Sequence, residues 1–238
     1  DAALRDAVVL LQGGCDALIV ENMGDAPYLR GAVPPEVVAA MAICTADIVD
    51  LDAPVGVQVL AGANREALGV AVAAGAHFVR VEAFAYAHVA DEGWLDASAG
   101  PLLRARRALG ANHIAVWADV QKKHAAHAVT ADLSLSALAR GAAFCGADVL
   151  IVTGGETGEP TDIDAVRQVR AAGLPVAVGS GVTVDDAHEL ASLADVLIVG
   201  SALKKGGDWR RKVSRRRVRA MRQSMVTRLP LEVGQGEG

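Results

Sequence analysis

VAVGSGVT (176–183) and LIVGSALKKGG (197–207) are aliphatic runs that each break off at a Gly-Ser tip, and they close a series of seven such units. The seven runs are ALIVEN (17–22), VGVQVL (55–60), FVRVEA (78–83), IAVWADV (114–120), VLIVTG (149–154), PVAVGS (175–180) and VLIVGS (196–201). Runs this short and this rich in Val and Ile read as buried parallel strands. Helical patterns fall between them at 34–50, 64–74, 100–109, 133–144, 161–172 and 184–193, with one more at about 2–12 and another at about 208–226. Pro34 and Pro35 suit a first helical turn, Thr161 with Asp164 suits a capping box, and glycines at 13, 14, 75, 110, 146 and 173 mark helix ends. Strict alternation of strand and crossover helix requires a parallel sheet with helices outside it, either an open doubly wound sheet or a closed barrel.

The phase of the strands selects the barrel. In FVRVEA, Val79 and Val81 oppose Arg80 and Glu82. In VGVQVL the valines oppose Gly56 and Gln58, and in IAVWADV the aliphatic face opposes Ala115, Trp117 and Asp119. Glu21 and Thr153 stand at matching late positions of their own strands. One face is aliphatic throughout and the other turns polar at its C-terminal end, as in a (β/α)8 TIM barrel, whose active sites lie at that end. Isolated charges there would cost several kcal/mol, so Arg80, Glu82 and Asp119 are expected to pair with one another or to meet a ligand.

The two Gly-Ser tips follow the last two strands, where barrels hold phosphate. Open backbone amides at Gly179, Ser180, Gly181, Gly200 and Ser201, with the dipole of a following helix behind them, predict a phosphate cup. TGGETGEP (153–160) reads as a ligand-covering loop that begins with inward Thr153, and it lacks the Lys-Ser/Thr ending of a nucleotide P-loop. DVQKKHAAH (119–127) offers a carboxylate, amines and imidazoles for proton transfer, with Asp119, Lys122, Lys123, His124 and His127. ENMGDAPYLRGAVPPE (21–36) adds Glu21, Asn22 and Asp25.

The chain has 238 residues, 52% of them hydrophobic, and no run long enough to span a bilayer, so a cytoplasmic protein is expected. Cys15, Cys44 and Cys145 lack the spacing of a zinc site or a redox dithiol. No metal and no cofactor is expected. The net charge of −5 divides unevenly: residues 204–228 carry eleven Lys or Arg and one acid, the rest twelve bases against 27 acids. Residues 208–228 read as a basic helix with Val213, Val218, Met221 and Met225 on its buried side, and 229–238 as a flexible tail. Contact with a membrane surface or a protein complex is a second use for that helix, nucleic acid is not an expected partner, and a homo-oligomer is compatible with the pattern.

VENMGDAPY, VPPE, LGANHIAVWADVQKKHA, LIVTGGETGEP, VGSGVT and LIVGSALKKGG together resemble successive signatures of the BtpA family, which includes SgcQ-like proteins. The resemblance runs to about residue 207, the limit of the expected barrel domain. It implies a ribulose-phosphate-binding type of TIM barrel, and a family linked in cyanobacteria to photosystem I biogenesis at thylakoid membranes and elsewhere to sugar-utilisation genes. By motif match it implies site residues Glu21, Asn22, Asp25, Arg80, Asp119, Lys123, His124, Thr153, Thr157 and Gly158. The family pattern has Asn where Glu82 stands, and His-Val where Gln121 and Lys122 stand. It also implies a first strand ahead of residue 1, so the chain reads as a fragment with seven of eight strands. The expected activity is binding of a phosphorylated sugar or nucleoside, with Asp119 or Glu82 as acid or base and lyase, isomerase or hydrolase chemistry. The alternative is a non-catalytic assembly factor of a membrane complex.

Overall fold

The computed structural model describes residues 2–154 and 161–226. In chain order the elements are α1 (Ala2–Gly13), β1 (Leu18–Glu21), α2 (Pro35–Val49), β2 (Val55–Gln58), α3 (Asn64–Ala74) and β3 (Phe78–Val81). Then come β4 (His88–Ala90), β5 (Gly93–Leu95), α4 (Ala99–Ala108), β6 (Ala115–Asp119), β7 (Ala125–Ala126), α5 (Leu135–Phe144) and β8 (Val149–Thr153). The chain continues with α6 (Ile163–Arg170), β9 (Val176–Gly179), α7 (Ala187–Leu193), β10 (Val196–Ile198) and α8 (Arg215–Val226). Seven strands pair in parallel in the order β1-β2-β3-β6-β8-β9-β10, one for each aliphatic run, and curl into a TIM-barrel sheet with β1 and β10 at its margins.

The aliphatic faces point at the helices: Val55, Val57, Val79, Val81, Val116, Leu150, Val176 and Val178 are wholly buried. Inside the barrel, Phe78 stacks on Trp117 with ring centroids 4.0 Å apart. Gly56 is needed there, because a Cβ at that position would collide with the Phe78 ring.

Register is fixed at the N-terminal end by a repeated device. The residue just before a strand accepts a hydrogen bond from the first or second amide of the strand beside it: His77 Nδ1 from Val55 N (3.1 Å), Asp148 Oδ2 from Val116 N (2.7 Å) and Asp195 Oδ2 from Val176 N (2.8 Å). Arg106 and Arg170 bind Asp148 and Asp195 in turn, at 3.0 and 3.3 Å, and each also holds a nearby carbonyl, Ile114 or Leu193. The sequence carries this device as Ala76-His77, Ala147-Asp148 and Ala194-Asp195, each set just ahead of its strand.

Several local signals act as read. Pro34 and Pro35 open α2, and Gly14, Gly75, Gly110, Gly146 and Gly173 all take left-handed backbone at helix ends. Other details differ. The carboxylate of Asp162, rather than Thr161, caps α6 by accepting from Asp164 N (2.9 Å), while the Thr161 hydroxyl donates to Ser180 O. Residues 208–214 are not helical: an isolated bridge joins Lys204 to Val213, and α8 begins only at Arg215. Val213, Val218 and Met221 are buried and Met225 packs against the core, with Val218 pressed on Gly13 of α1.

The sequence pattern gives no sign of β4, β5 and β7, which form a small antiparallel sheet in the order β5-β4-β7. It is built from the loops after β3 and β6, so it sits over the C-terminal end of those strands. No described helix is long and apolar enough to cross a membrane.

Candidate functional site

Arg80, near the end of β3, occupies the centre of the polar barrel mouth. Its Nε lies 3.3 Å from both Asp119 oxygens, Nη2 lies 3.2 Å from Asp119 Oδ1, and Nη1 reaches Glu21 Oε1 at 3.5 Å. Burial opposes the guanidinium charge more than any other effect, yet Asp119 and then Glu21 outweigh it together and raise its pKa further. Fork geometry of this kind is what lets a buried pair offset its own desolvation. Gln58, also buried, stands beside Glu21 in the β1–β2 register.

Glu82 follows at the tip of the same strand. Its Oε2 accepts from Gly62 N (3.1 Å) and lies 3.7 Å from Lys122 Nζ. Lys122 Nζ also binds Glu92 Oε2 at 2.7 Å, and all three side chains are at most 8% exposed. Glu92 belongs to the β4–β5 turn, so this trio ties the small sheet to the barrel mouth. Burial pushes the Glu82 carboxyl up to about 7, with Lys122 the largest opposing influence. Asn64 and Ser98 brace the backbone behind it: Asn64 Nδ2 donates to Glu82 O (2.7 Å) and Ser98 Oγ to Ala83 O (3.0 Å).

The first Gly-Ser tip lies beside this cluster, and the second follows the neighbouring strand β10. Ser180 and Gly181 both take left-handed backbone, φ 84° and 75°, and this opens a concave turn. Gly179 permits close approach: a Cβ there would lie 2.9 Å from Ile151 Cγ2 and 3.5 Å from Arg80 Nη2. Arg80 therefore sits against the backbone that leads into the turn. Lys123 Nζ donates to Ser180 Oγ at 3.1 Å. The amides of Gly181 and Gly200 reach no backbone acceptor among the described residues, whereas Ser180 N is engaged with Ile198 O at 3.4 Å. No described atom lies within 4 Å of where a Cβ on Gly200 would stand, and Ser201 begins a single 3-10 turn. The helix expected behind the first tip begins only at Ala187, so no helix end stands directly at that turn.

Other expected residues are placed apart or serve as braces. Asn22 Oδ1 accepts from Leu60 N (2.7 Å) and its Nδ2 donates to Asp25 Oδ2 (3.0 Å). Both residues line a cavity of about 270 Å³ against α2, with Glu36 and Cys44, on the outer side of β1. Thr153 Oγ1 donates to Gln121 O (2.9 Å), joining the tips of β8 and β6. His124 is exposed at the loop after β6, with φ 54°. Thr157 and Gly158 lie outside the described residues.

Sequence reading missed Glu92 and Tyr28. The Tyr28 phenol is raised by burial and then by Glu21, Glu92, Glu82 and Asp25, which places it on the acidic side of the mouth. It also missed the pairing of His88 with His127, whose rings lie 5.2 Å apart. His88 is pushed down to about 4 by burial, then by His127 and Lys122. One signal converges on this end: Asp52 aside, the described non-glycine residues with left-handed backbone are Ala83, Tyr86, His124 and Ser180, all on loops after β3, β6 and β9. Strain of this kind gathers at functional sites. No described cluster of three or more His, Cys, Asp or Glu is arranged to hold a metal ion.

Comparison with known proteins gives the chain a family and a fold. The BtpA family model matches residues 1–227. An uncharacterised mitochondrial protein of Caenorhabditis elegans is 43% identical, covering 90% of this chain and 79% of its own. The photosystem I biogenesis protein BtpA of Synechocystis is 35% identical, covering 95% of this chain and 79% of its own. The chain belongs to the BtpA family. Among solved structures, KGPDC from Streptococcus mutans superposes with a TM-score of 0.62 at 14% identity, covering 94% of this chain and 90% of that one. Phosphoribosyl anthranilate isomerase from Thermus thermophilus gives 0.57 at 17%, covering 94% of each chain. Orotidine 5′-monophosphate decarboxylase from Methanocaldococcus jannaschii, in complex with the inhibitor BMP, gives 0.60 at 13%, covering 95% and 94%. At these identities the likeness establishes the shared TIM-barrel fold.

Proposed function

We propose that this BtpA-family barrel binds a phosphorylated sugar or nucleoside at its C-terminal mouth and acts on it by acid-base chemistry. The contact that carries this reading is Lys123 Nζ to Ser180 Oγ at 3.1 Å, which joins the concave Ser180–Gly181 turn to the charged mouth. Support also comes from the solved barrels of the same fold, which include enzymes of phosphorylated substrates by their names. The phosphate is held by the amides of Gly181, Gly200 and Ser201, and Lys123 faces it. Between the two carboxylates, Glu82 is the better acid or base. Asp119 is committed to Arg80 by three contacts, whereas Glu82, held near 7, exchanges a proton close to neutral pH. Arg80, Lys123 and His124 stabilise the negative charge that develops on the substrate.

Calorimetric titration with ribulose 5-phosphate tests this reading. Wild type gives a saturable heat, and Gly200→Trp, which has room to fold but fills the cup, loses it. Equal binding by the two proteins, or none by either, counts against the reading.

A second reading draws on the exposed bases Arg210, Arg211, Lys212, Arg215, Arg216 and Arg219. They suit a non-catalytic assembly factor that meets an anionic membrane, and one relative is named for photosystem I biogenesis. Flotation with anionic liposomes that is lost in an Arg215→Gln, Arg216→Gln, Arg219→Gln variant supports it. Absence of flotation removes it.

A further inference from the structure

We propose that the ε-amine of Lys123 forms an imine with the carbonyl carbon of a phosphorylated keto compound, so that the substrate class is a ketose phosphate or a phosphorylated 2-oxo acid. The inference rests on the phosphate reading above and goes beyond it by naming the nucleophile and the carbonyl.

Adjacent lysines in Gln121-Lys122-Lys123-His124 meet opposite surroundings. Lys122 Nζ is fixed between two carboxylates, Glu92 at 2.7 Å and Glu82 at 3.7 Å. Among the described residues no carboxylate forms a salt bridge with Lys123, whose amine donates instead to a neutral hydroxyl, Ser180 Oγ. Burial lowers the Lys123 pKa first, and the Arg80 guanidinium lowers it next, while Glu21, Asp119 and Glu82 act in the other direction. A half-buried amine beside a fixed guanidinium gives up its proton more readily than an exposed lysine, and the free amine is the nucleophile in imine formation.

Position and chemistry agree. Ser180 is the rim of the cup, so a phosphate seated on the Gly181 and Gly200 amides brings the first carbons of its substrate alongside Lys123 Nζ. The amine adds to the carbonyl carbon, giving a carbinolamine. The carbonyl oxygen then leaves as water, taking both hydrogens of the amine, and a carbon–nitrogen double bond remains. Protonation of that nitrogen gives an iminium ion, which accepts the electron pair released when a bond at the neighbouring carbon breaks. Dehydration needs an acid that can also act as a base, and Glu82 in the same mouth is of that kind.

The test uses the full chain with dihydroxyacetone phosphate and ribulose 5-phosphate as probes and sodium cyanoborohydride as the reductant. The reagent's hydride and a solvent proton convert the imine to a stable secondary amine whose mass exceeds the protein's by that of the probe less one oxygen. The expected result is an adduct on the peptide that contains Lys123, suppressed by excess inorganic phosphate and lost in Lys123→Arg. A melting temperature equal to that of wild type reports that this variant is folded. Binding without an adduct at Lys123, or adducts on exposed lysines such as Lys205 and Lys212 alone, overturns the imine and leaves the phosphate reading standing. No heat with either probe in wild type overturns both.

Discussion

The two ends of the barrel use polar residues in opposite ways. At the N-terminal end, His77, Asp148 and Asp195 each bind a backbone amide of the adjacent strand, and the arginines beside Asp148 and Asp195 reach out to partly solvated carboxylates. At the C-terminal end, Glu21, Arg80, Asp119, Glu82, Lys122 and Glu92 bind chiefly one another, and most are buried. The first arrangement satisfies groups that the strands would otherwise leave unpaired and so sets register. The second concentrates charge where desolvation opposes it, so it weakens the fold unless every member is present. Among the described residues, strained non-glycine backbone, Asp52 aside, lies next to the second end. The difference marks one end as framework and the other as site.

The largest expected effect is at Arg80. Arg80→Met leaves Asp119 buried without its cation and destabilises the fold by about 3–5 kcal/mol in urea denaturation, while Arg80→Met with Asp119→Leu recovers most of the loss. If the single variant is as stable as wild type, the mouth is not a coupled charge cluster.

Glu82 comes next, and its effect depends on pH. Its carboxyl moves from 4.5 to about 7 on folding, so the folded state binds the extra proton and stability falls as pH rises through that window. Removing this penalty with Glu82→Gln raises stability at pH 8 relative to pH 4.5 by up to roughly 3 kcal/mol against wild type. His88 opposes it: held near 4, it makes the fold lose stability as pH drops from about 6.5 to about 4. His88→Gln removes that acid-side loss, which melting curves at pH 4.5 and 7 would reveal.

At the other end the effects shrink. Asp148→Ala deprives Val116 N and Arg106 of their acceptor and costs about 1–2 kcal/mol, with no change in ligand binding. A loss of phosphate binding in that variant would erase the division between the ends. The smallest change is at the exposed bases of α8, where Arg215→Gln and Arg216→Gln together shift stability by less than about 0.5 kcal/mol.

How far this division was legible in the sequence follows from the same physics. Strands buried on both sides read as aliphatic runs, so all seven were visible, and the alternation of Arg80 with Val79 and Val81 showed which face is the interior. The cluster of Glu21, Arg80 and Asp119 was readable because each stands at or next to the end of a recognisable strand. β4, β5 and β7 were not, because two or three residues are too few for a periodic pattern and their pairing is set by distant chain. Glu92 was lost with them: in Asp91-Glu92-Gly93 it reads as a solvated turn, yet its carboxylate is buried on Lys122. Asn22 and Asp25 were read from their motif, and the structure adds their partners: Asn22 accepts from Leu60 N and donates to Asp25, a link across to the loop after β2 that no local pattern shows. The framework acceptors His77, Asp148 and Asp195 passed as polar residues after a helix end, since their partners are amides of another strand.

Amide NMR of the labelled chain during titration with inorganic phosphate tests the central claim most directly. The account predicts shifts at Gly181, Gly200 and Ser201 and along the Lys123 loop, with Val55, Val116 and Val176 amides at the opposite end unmoved. Shifts confined to the basic stretch from Arg210 to Arg219, or none at all, would contradict it.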